Sequence, residues 1–262
     1  MTACTVELSD TQLLRYSRHI LLDELGPDAQ TRFASAHALI VGVGGLGAPV
    51  AQFLAAAGVG TMTLCDADSV DLTNLQRQIL YATADVGQPK VAAAAARLAA
   101  VNPHVSVAPI ARRIGADDLG TLVAAADVVI DCCDNFETRH AVNRACVAAR
   151  KPLVSGAAIR FDGQLAVFDT RDAASPCYHC LFGEGDALEE TRCATMGVFA
   201  PLVGIVGSTQ AAEALKLIAR VGESLAGRLL LLDALSMEWR EVRVPRDPEC
   251  AVCRDRPTTR FD

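Results

Sequence analysis

The chain has 262 residues, of which 51% are hydrophobic and 21% charged, and its formal net charge is −7. This balance is typical of a folded globular protein rather than a disordered one. The negative charge argues against nucleic acid as the main partner, and without an apolar run of about 18 residues we expect no membrane partner or membrane span.

The N-terminus lacks the charged and apolar regions of a signal peptide, so we expect a cytoplasmic protein. From Asp10 to about Asp23, apolar residues recur at helical spacing, with Ser9 or Asp10 as the cap. Strand and helix patterns then alternate. Strands are predicted at 38–41, 61–65, 105–110 and 128–132, and helices at 48–58, 90–101, 117–126 and 138–150. The alternation predicts a parallel sheet with helices on both faces.

The pattern changes after Pro152. Strands are predicted at 153–158 and 164–169, joined by a turn, and a polar stretch follows to residue 192. A long helix is predicted at 198–219, and strands at 229–232 and 239–244 close the pattern. We find no repeat and no low-complexity linker, which favours one continuous domain with a mixed sheet.

A glycine-rich turn follows the first predicted strand. The motif G-V-G-G-L-G contains Gly42, Gly44, Gly45 and Gly47 and opens a helix of small residues. Glycines let the backbone approach phosphate, and a helix N-terminus offers free N–H groups. Asp66 ends the second predicted strand, where it can accept hydrogen bonds from a ribose. The pattern predicts a nucleotide site without separating NAD, FAD and ATP, and a tight packing turn is the structural alternative.

The residues after Asp66 include Asn74, Arg77 and Lys90, side chains suited to a triphosphate. A hydride-transfer enzyme needs only the ribose carboxylate here. The alternatives are a solvated acidic loop with a surface arginine, and a surface lysine at position 90. Lys90 begins a predicted helix, where the helix dipole repels a cation unless a bound polyphosphate offsets it.

The sequence D-C-C-D-N, residues 131–135, follows another apolar strand. Carboxylates at the C-terminal end of a parallel strand face the ligand crevice. Asp134 is a candidate ligand for Mg²⁺ beside phosphate oxygens. For Asp131 we expect a different role, as the cap of the next helix.

Four of the ten cysteines form two C-x-x-C pairs, Cys177 with Cys180 and Cys250 with Cys253. Four thiolates can close a tetrahedral Zn²⁺ site, although a gap of 69 residues between the pairs is not a standard finger spacing. A redox pair is the alternative, but neither pair opens a predicted helix as a thioredoxin-type thiol does. His179 is interpreted as a bystander.

Cys193 stands alone in a polar segment beside Arg192, whose charge favours the thiolate. A catalytic or sulfur-carrying role for Cys193 is a hypothesis, and a passive thiol is the alternative.

Six motifs occur in order between Leu14 and Cys253: R-Y-S-R-H-I, G-V-G-G-L-G, T-N-L-Q-R-Q, G-Q-P-K, D-C-C-D-N and the paired C-x-x-C. Together they resemble the MoeB/ThiF/HesA family, the bacterial relatives of ubiquitin-activating enzymes, and most closely its MoeB branch. Cys133 departs from the family's usual threonine, with little consequence expected.

The resemblance implies a Rossmann-like, doubly wound α/β fold whose mainly parallel sheet continues into antiparallel strands, with a zinc-bound C-terminal region. The implied single domain covers residues 1–262, with a nucleotide-binding half at 10–150 and a partner-binding and zinc half at 151–262.

The implied activity is ATP-dependent adenylylation of a small β-grasp sulfur-carrier protein that ends in Gly-Gly. Residues 154–160 and 181–184 look closer to MoeB, which implies a MoaD-like carrier in molybdopterin biosynthesis. A ThiS-like carrier in thiamin biosynthesis is the alternative. The sequence ends nine residues after Cys253, so we expect no rhodanese domain and an external sulfur donor.

The resemblance also assigns residues. It implies a homodimer in which Arg18 reaches the ATP site of the other subunit, and a catalytic set of Arg77, Lys90, Asp134, Arg18 and Cys193. The implied contacts to ATP and Mg²⁺ are Gly42, Gly44, Gly45, Gly47, Asp66, Asp68, Thr73, Asn74, Leu75, Gln76, Arg77, Gln78, Lys90, Asp134 and Asn135. The implied metal ligands are Cys177, Cys180, Cys250 and Cys253 for Zn²⁺ and Asp134 for Mg²⁺.

Two rival functions remain at this stage. An NAD-dependent oxidoreductase uses the same glycine loop but leaves Arg77 and Lys90 unexplained. A non-catalytic dimeric scaffold could bind nucleotide only as a structural ligand. Adenylylation of a carboxylate, which is already ionised at pH 7, needs no general base, and this agrees with the absence of a recognisable Ser-His-Asp set.

Overall fold

The computed structural model describes residues 7–183 and 196–256. Its helices are α1 (Asp10–Arg15), α2 (Ser17–Ile20), α3 (Gly26–Ser35), α4 (Gly47–Ala57), α5 (Lys90–Val101), α6 (Ala116–Ala125), α7 (Phe136–Ala149), α8 (Tyr178–Leu181) and α9 (Ala200–Ala219). Its strands are β1 (His37–Val41), β2 (Thr61–Cys65), β3 (Ser106–Ile110), β4 (Val128–Asp131), β5 (Pro152–Ile159), β6 (Asp162–Asp169), β7 (Arg228–Asp233) and β8 (Glu238–Arg243).

The strands form one eight-stranded sheet in the order β3-β2-β1-β4-β5-β6-β7-β8. Neighbours from β3 to β5 are parallel, and those from β5 to β8 are antiparallel. This confirms the predicted mixed sheet. The two central parallel strands, β1 and β4, are apolar along nearly their whole length because helices cover both of their faces.

Two hydrophobic clusters lie on opposite faces of the sheet. In β1, Ala38 and Ile40 join the cluster formed with α4, α5 and α9, whereas Leu39 and Val41 join the cluster formed with α6 and α7. Successive side chains of a strand point to opposite faces, so one short apolar strand serves both layers. The fold is therefore doubly wound.

Helix α9 is the one helix of the described chain that is long and apolar enough to cross a membrane by length and composition. More than half of its most apolar stretch is buried inside the protein. Val203, Val206 and Leu217 of this helix lie in the core cluster beside α4 and the sheet. Its apolar composition is thus accounted for by packing within the domain.

The N-terminal segment differs from the single helix predicted at 10–23. Two short helices, α1 and α2, meet at Tyr16, and an unpredicted helix α3 follows. Tyr16 is buried, and its hydroxyl accepts a hydrogen bond from Asn102 Nδ2 at 2.8 Å. This long-range anchor at the junction of the two helices is invisible to local periodicity. The predicted cap at Ser9 is confirmed, since Ser9 Oγ accepts from Gln12 N.

Helix α9 approaches the start of α4 closely at Gly207. A Cβ at this position would lie 2.6 Å from Pro49 Cγ and would also overlap the carbonyl oxygen of Leu46. A Cβ added at Gly204, one turn earlier in α9, would meet open space. The two glycines of one helix therefore face different constraints.

We predict that Gly207→Ala lowers the free energy of unfolding by about 1–3 kcal/mol, because the added methyl group meets backbone that cannot easily move. Gly204→Ala is the matched control and should raise it by up to about 1 kcal/mol through helix propensity. Urea denaturation of both variants measures the difference. Equal stability of the two variants would contradict this account of the α4–α9 contact.

Candidate active site

The segments that carry the predicted nucleotide-binding residues meet at the carboxyl edge of the parallel strands. β1 and β4 are neighbours in the sheet, while the chain after β1 continues to β2 on the opposite side. Such a reversal of strand order opens a crevice at the carboxyl ends of the strands. The glycine loop follows β1, Asp66 follows β2, and residues 132–135 follow Asp131 at the end of β4. The topology thus brings three segments, far apart in sequence, to one crevice.

The glycine loop is shaped by its contact with the end of β4. Gly42 has φ +88°, and a Cβ there would lie 2.7 Å from the carbonyl oxygen of Cys132. A Cβ at Gly47 would overlap the backbone of Gly42. Only glycine satisfies both requirements. Within the described part of the chain, the N–H groups of Gly44 and Gly45 have no hydrogen-bond partner, so they are available to an anion at the start of α4.

Asp66 contacts the glycine loop directly. Its Oδ2 accepts a hydrogen bond from Val43 N at 2.8 Å, and its Oδ1 accepts one from Asp68 N at 2.9 Å. The carboxylate remains partly exposed. Asp66 therefore holds the loop to the end of β2, and its contact with a ribose remains a prediction.

Lys90 is buried at the N-terminus of α5, with only 7% of its side chain exposed. Its Nζ lies 2.8 Å from Asp68 Oδ2, and 70% of the Asp68 side chain is exposed. The alternative of a surface lysine at position 90 is wrong. Lys90 is a buried cation whose partner carboxylate lies at the protein surface.

A short 3₁₀ turn, Leu72–Asn74, overlaps the start of the T-N-L-Q-R-Q segment and is capped by Asp71. Hydrogen bonds from the Thr73 hydroxyl and backbone N–H hold the pKa of Asp71 below its usual value. Arg77 is half-buried, and its NH1 donates to the carbonyl of Thr73 at 3.2 Å. The turn fixes the backbone on which Arg77 stands.

Gln78 ends this segment and lies beneath the glycine loop. It is buried, and its Nε2 lies 3.6 Å from where a Cβ of Gly44 would stand. Its Oε1 is buried and has no hydrogen-bond partner among the described residues. Leu75 and Asn74 are half-buried and Gln76 is exposed. An unpaired buried amide beside a phosphate-type loop fits a site that is completed by a ligand.

Asp134 is exposed at the crevice, in the turn between β4 and α7. Its carboxylate is the type of ligand that Mg²⁺ prefers. Asn135 caps α7, because its Oδ1 accepts a hydrogen bond from Thr138 N at 2.9 Å. The expectation that Asp131 caps this helix is wrong.

Asp131 instead forms a buried ion pair with Arg139. Arg139 NH1 lies 2.9 Å from Asp131 Oδ2, and 8% and 1% of the two side chains are exposed. Ser155 Oγ donates to the same oxygen at 2.8 Å. Burial opposes the charge on Arg139, but Asp131 beside it raises the pKa of Arg139 above its ordinary value.

Arg139 also holds the turn that carries Asp134. Its NH2 donates to the carbonyl oxygens of Cys133, at 2.5 Å, and Gly156, at 2.9 Å. Gln210 of α9 donates to the backbone oxygen of Asp131 at 2.8 Å. The end of β4 and the turn after it are therefore held by α7 through Arg139, by β5 through Ser155 and by α9 through Gln210.

The adjacent thiols at this strand end are not activated. Burial raises the pKa of Cys132 and of Cys133 well above the ordinary value, and the charge of Asp131 adds to the effect. Cys133 Sγ lies 2.6 Å from Asp131 Oδ1. The Cys133 thiol is therefore a donor to this carboxylate.

The four paired cysteines come together in a cluster of their own. All four Sγ atoms lie within 4.8 Å of one another, and neighbouring Sγ atoms are 3.5–3.8 Å apart. Zinc–sulfur bonds of about 2.3 Å in a tetrahedron require a spacing of about 3.8 Å. The thiols thus fit Zn²⁺ in distance and in donor type. Asn143 Nδ2 donates to Cys177 Sγ at 3.7 Å.

Two details around these cysteines refine the sequence interpretation. Cys177 does open a helix, the four-residue α8, which the sequence did not predict. His179 Nδ1 lies 3.6 Å from Cys250 Sγ, outside the four-cysteine set. A closed set of four thiols favours a metal site over an isolated redox pair.

One predicted catalytic residue, Arg18, does not join the crevice of its own chain. Arg18 is exposed on α2, in a shallow surface cavity lined also by Arg15, Tyr16, His19 and Ala56. No crevice residue lines that cavity. Cys193 lies outside the described residues.

Sequence reasoning missed Arg139, Ser155, Gln210 and Asn143. One signal was present in α7, where Arg139, Val142, Asn143 and Cys146 share one buried face. Polar residues at helical spacing among apolar ones indicate a buried polar contact rather than a solvated face.

Comparison with known proteins gives consistent matches. The model of the ThiF family matches residues 16–252. The chain is 46% identical to the molybdopterin-synthase adenylyltransferase of Escherichia coli K12, over 94% of this chain and 98% of that protein. It is 44% identical to the E. coli K12 sulfur carrier protein ThiS adenylyltransferase, over 94% of this chain and 97% of that protein.

Solved structures of E. coli MccB share the fold. The crystal structure of MccB with ATP has a TM-score of 0.77 and 27% identity, covering 86% of this chain and 68% of that one. The structure of MccB with AMPCPP and MccA has a TM-score of 0.81 and 28% identity, covering 91% and 74%.

We predict that Arg139→Met lowers the free energy of unfolding by about 3–5 kcal/mol, because it leaves the Asp131 charge buried without a partner. Arg240→Met is the control, since it breaks the exposed pair with Glu238 and should cost about 1 kcal/mol or less. Denaturant unfolding of both variants measures this. Similar small losses for the two would show that the buried pair does not carry the stability assigned to it.

Proposed function

The chain belongs to the ThiF family, and we propose that it adenylylates the C-terminal glycine of a MoaD-like sulfur carrier for molybdopterin biosynthesis. It is an adenylyltransferase of sulfur carrier proteins. The observation that carries the proposal is the crevice itself. A glycine loop with free N–H groups, the buried cation Lys90 and the exposed carboxylate Asp134 belong to the segments that meet there. A site for hydride transfer alone needs neither the buried lysine nor the second carboxylate.

The reaction joins two anions. The ionised carboxylate of the carrier's terminal glycine attacks the α-phosphorus of ATP, the bond to the bridging oxygen breaks, and pyrophosphate leaves. The product is a mixed anhydride that a sulfur nucleophile can open. Because the nucleophile is already deprotonated at pH 7, the protein supplies alignment and positive charge rather than a base.

Lys90 and Arg77 supply the positive charge in this proposal. Lys90 is buried, where an ion interacts more strongly than in water. Asp68, its present partner, is mostly exposed, so a phosphate can compete for the ammonium group. We assign the ribose to Asp66 and further polar contacts to Asn74 and Gln78.

Asp134 is the proposed Mg²⁺ ligand. Bound Mg²⁺ would neutralise charge on the phosphate oxygens. The Arg139 contacts described above hold the turn on which Asp134 stands. Asn135 is occupied as the cap of α7 through its Oδ1.

The quaternary arrangement is also a proposal. Arg18 lies apart from the crevice of its own chain, which supports a role at the crevice of a second copy in a homodimer.

The four cysteines hold a structural Zn²⁺ in this proposal, supported by their mutual distances. We further propose that the sulfur comes from an external donor and that the protein is cytoplasmic. A covalent role for Cys193 stays a hypothesis.

A ThiS-like carrier is the second candidate, because the E. coli ThiS adenylyltransferase is nearly as similar as the MoaD-pathway enzyme, at 44% against 46%. The chemistry is the same for both carriers. The choice between them concerns only the surface that the carrier presents.

We predict that the purified chain, given ATP and Mg²⁺, adds AMP to a MoaD-like protein faster than to a ThiS-like protein. Mass spectrometry of the intact carriers measures the added AMP. A carrier lacking its last glycine is the control and should remain unmodified, and so should the complete carrier without Mg²⁺. Faster modification of the ThiS-like protein would move the assignment to thiamin synthesis, and no AMP on either carrier would refute adenylylation.

We predict that Lys90→Ala and Arg77→Ala each lower carrier-dependent ATP–pyrophosphate exchange by about 10²-fold or more, since each removes charge that stabilises the transition state. Arg97→Ala is the matched control and should leave the exchange rate unchanged. Arg97 lies on the same helix as Lys90, but its side chain pairs with Asp85 at the protein surface. Exchange near the unmodified rate in both test variants, with folding intact, would remove Lys90 and Arg77 from the catalytic machinery.

A further inference from the structure

We propose that Arg246 and Arg256 are the counter-charges of a zinc–tetrathiolate cluster, so that the charge of the metal site is neutralised by two guanidinium groups of the same C-terminal segment. This inference rests on the zinc site of the proposed function. It assigns a role to two arginines that neither the family motifs nor the nucleotide chemistry requires.

Arg256 is the more unusual of the two, because only 6% of it is exposed. Its NH2 donates to the carbonyl oxygens of Ala173, at 3.3 Å, and Ser175. Its Nε and NH1 are buried and have no hydrogen-bond partner among the described residues. A buried guanidinium with two unsatisfied nitrogens is costly unless a negative charge lies nearby.

Arg246 lies beside Arg256 and donates to the same carbonyl oxygen, that of Ala173 in the turn region after β6. Its NH1 donates to the carbonyl of Ala173 at 2.9 Å, and its NH2 donates to the carbonyl of Cys253 at 2.5 Å. Its Nε is likewise buried without a partner in the described chain. Two guanidinium groups that share one carbonyl acceptor repel each other, which calls for a shared anion.

The described carboxylates do not supply that anion. Neither Arg246 nor Arg256 forms an ion pair with an aspartate or glutamate within residues 7–183 and 196–256. The cysteine cluster borders both guanidinium groups, because Arg246 NH2 donates to the carbonyl oxygen of Cys253 and Arg256 NH2 donates to that of Ser175, two residues before Cys177.

The charges balance once zinc is bound. Four thiolates and one Zn²⁺ carry a net charge of −2, and two guanidinium groups carry +2. Cys250 and Cys253 lie in the same short segment as both arginines, so the C-terminal segment supplies half of the ligands and both counter-ions. A neutral cluster is cheaper to bury than a doubly charged one.

The test is the rate at which the full-length, zinc-loaded chain releases zinc to an excess of a colorimetric chelator. We expect Arg256→Gln and Arg246→Gln each to release zinc about tenfold faster or more, the range typical of groups that surround a metal site. Arg256→Lys keeps the charge but loses the planar hydrogen-bonding fork, so its release rate should stay within about threefold of the unmodified chain.

Arg254→Gln is the matched control, because Arg254 lies between the two arginines but is exposed and pairs only with the neighbouring Asp255 among the described residues. Its release rate should not change. Folded glutamine variants with an unmodified release rate would overturn the inference. A lysine variant that releases zinc tenfold faster would also overturn the inference, because hydrogen bonds rather than charge would then be responsible. The lysine variant remains decisive if a glutamine variant does not fold.

The same preparations separate this inference from the proposals on which it rests. An unmodified chain that purifies with far less than one zinc per chain overturns the zinc assignment and this inference together. A zinc-loaded chain with unaffected variants overturns only the counter-charge role. Adenylylation of the carrier is measured separately and depends on neither result.

Discussion

The ion pair between Asp131 and Arg139 is the interaction on which the crevice depends. It lies at the end of β4, at the point where the strand order reverses. Removing two charges from water costs several kcal/mol per ion, so the pair is tolerable only because its other polar groups are satisfied. Ser155 of β5 supplies one of these contacts, and the carbonyl of Gly156 another. The pair therefore joins a central strand, its neighbour and a helix into one rigid unit.

Two consequences follow for the turn after β4. Arg139 holds the carbonyl of Cys133, so the backbone immediately before Asp134 is fixed while the Asp134 side chain stays exposed. The carbonyl of Cys132 leaves no room for a side chain at Gly42. The glycine loop and the acidic turn are thus positioned against each other by backbone contacts, and the side chains that face a ligand do not have to maintain the structure.

The sequence predicted the regular elements well and the buried polar contacts poorly. Strand β2 and helix α5 begin and end where periodicity placed them, because a two-residue or a 3.6-residue repeat reflects burial directly. The roles of Asp131 and Lys90 depend on partners 8 and 22 residues away, brought close only by folding. Local spacing predicted Asp131 as a helix cap and left a surface position open for Lys90. Sequence spacing carries no information about which charges become buried.

Helix α7 connects the crevice to the cysteine cluster. Arg139 and Asn143 are four residues apart, so they lie one above the other on the same face of the helix. Arg139 binds the acidic turn, whereas Asn143 donates to Cys177 Sγ and accepts from the backbone N–H of Tyr178. One helix face therefore sets the position of the cysteine pair relative to the turn that carries Asp134. A metal held by the four thiols would stabilise the C-terminal segment against this helix, and through it the same rigid unit that shapes the crevice.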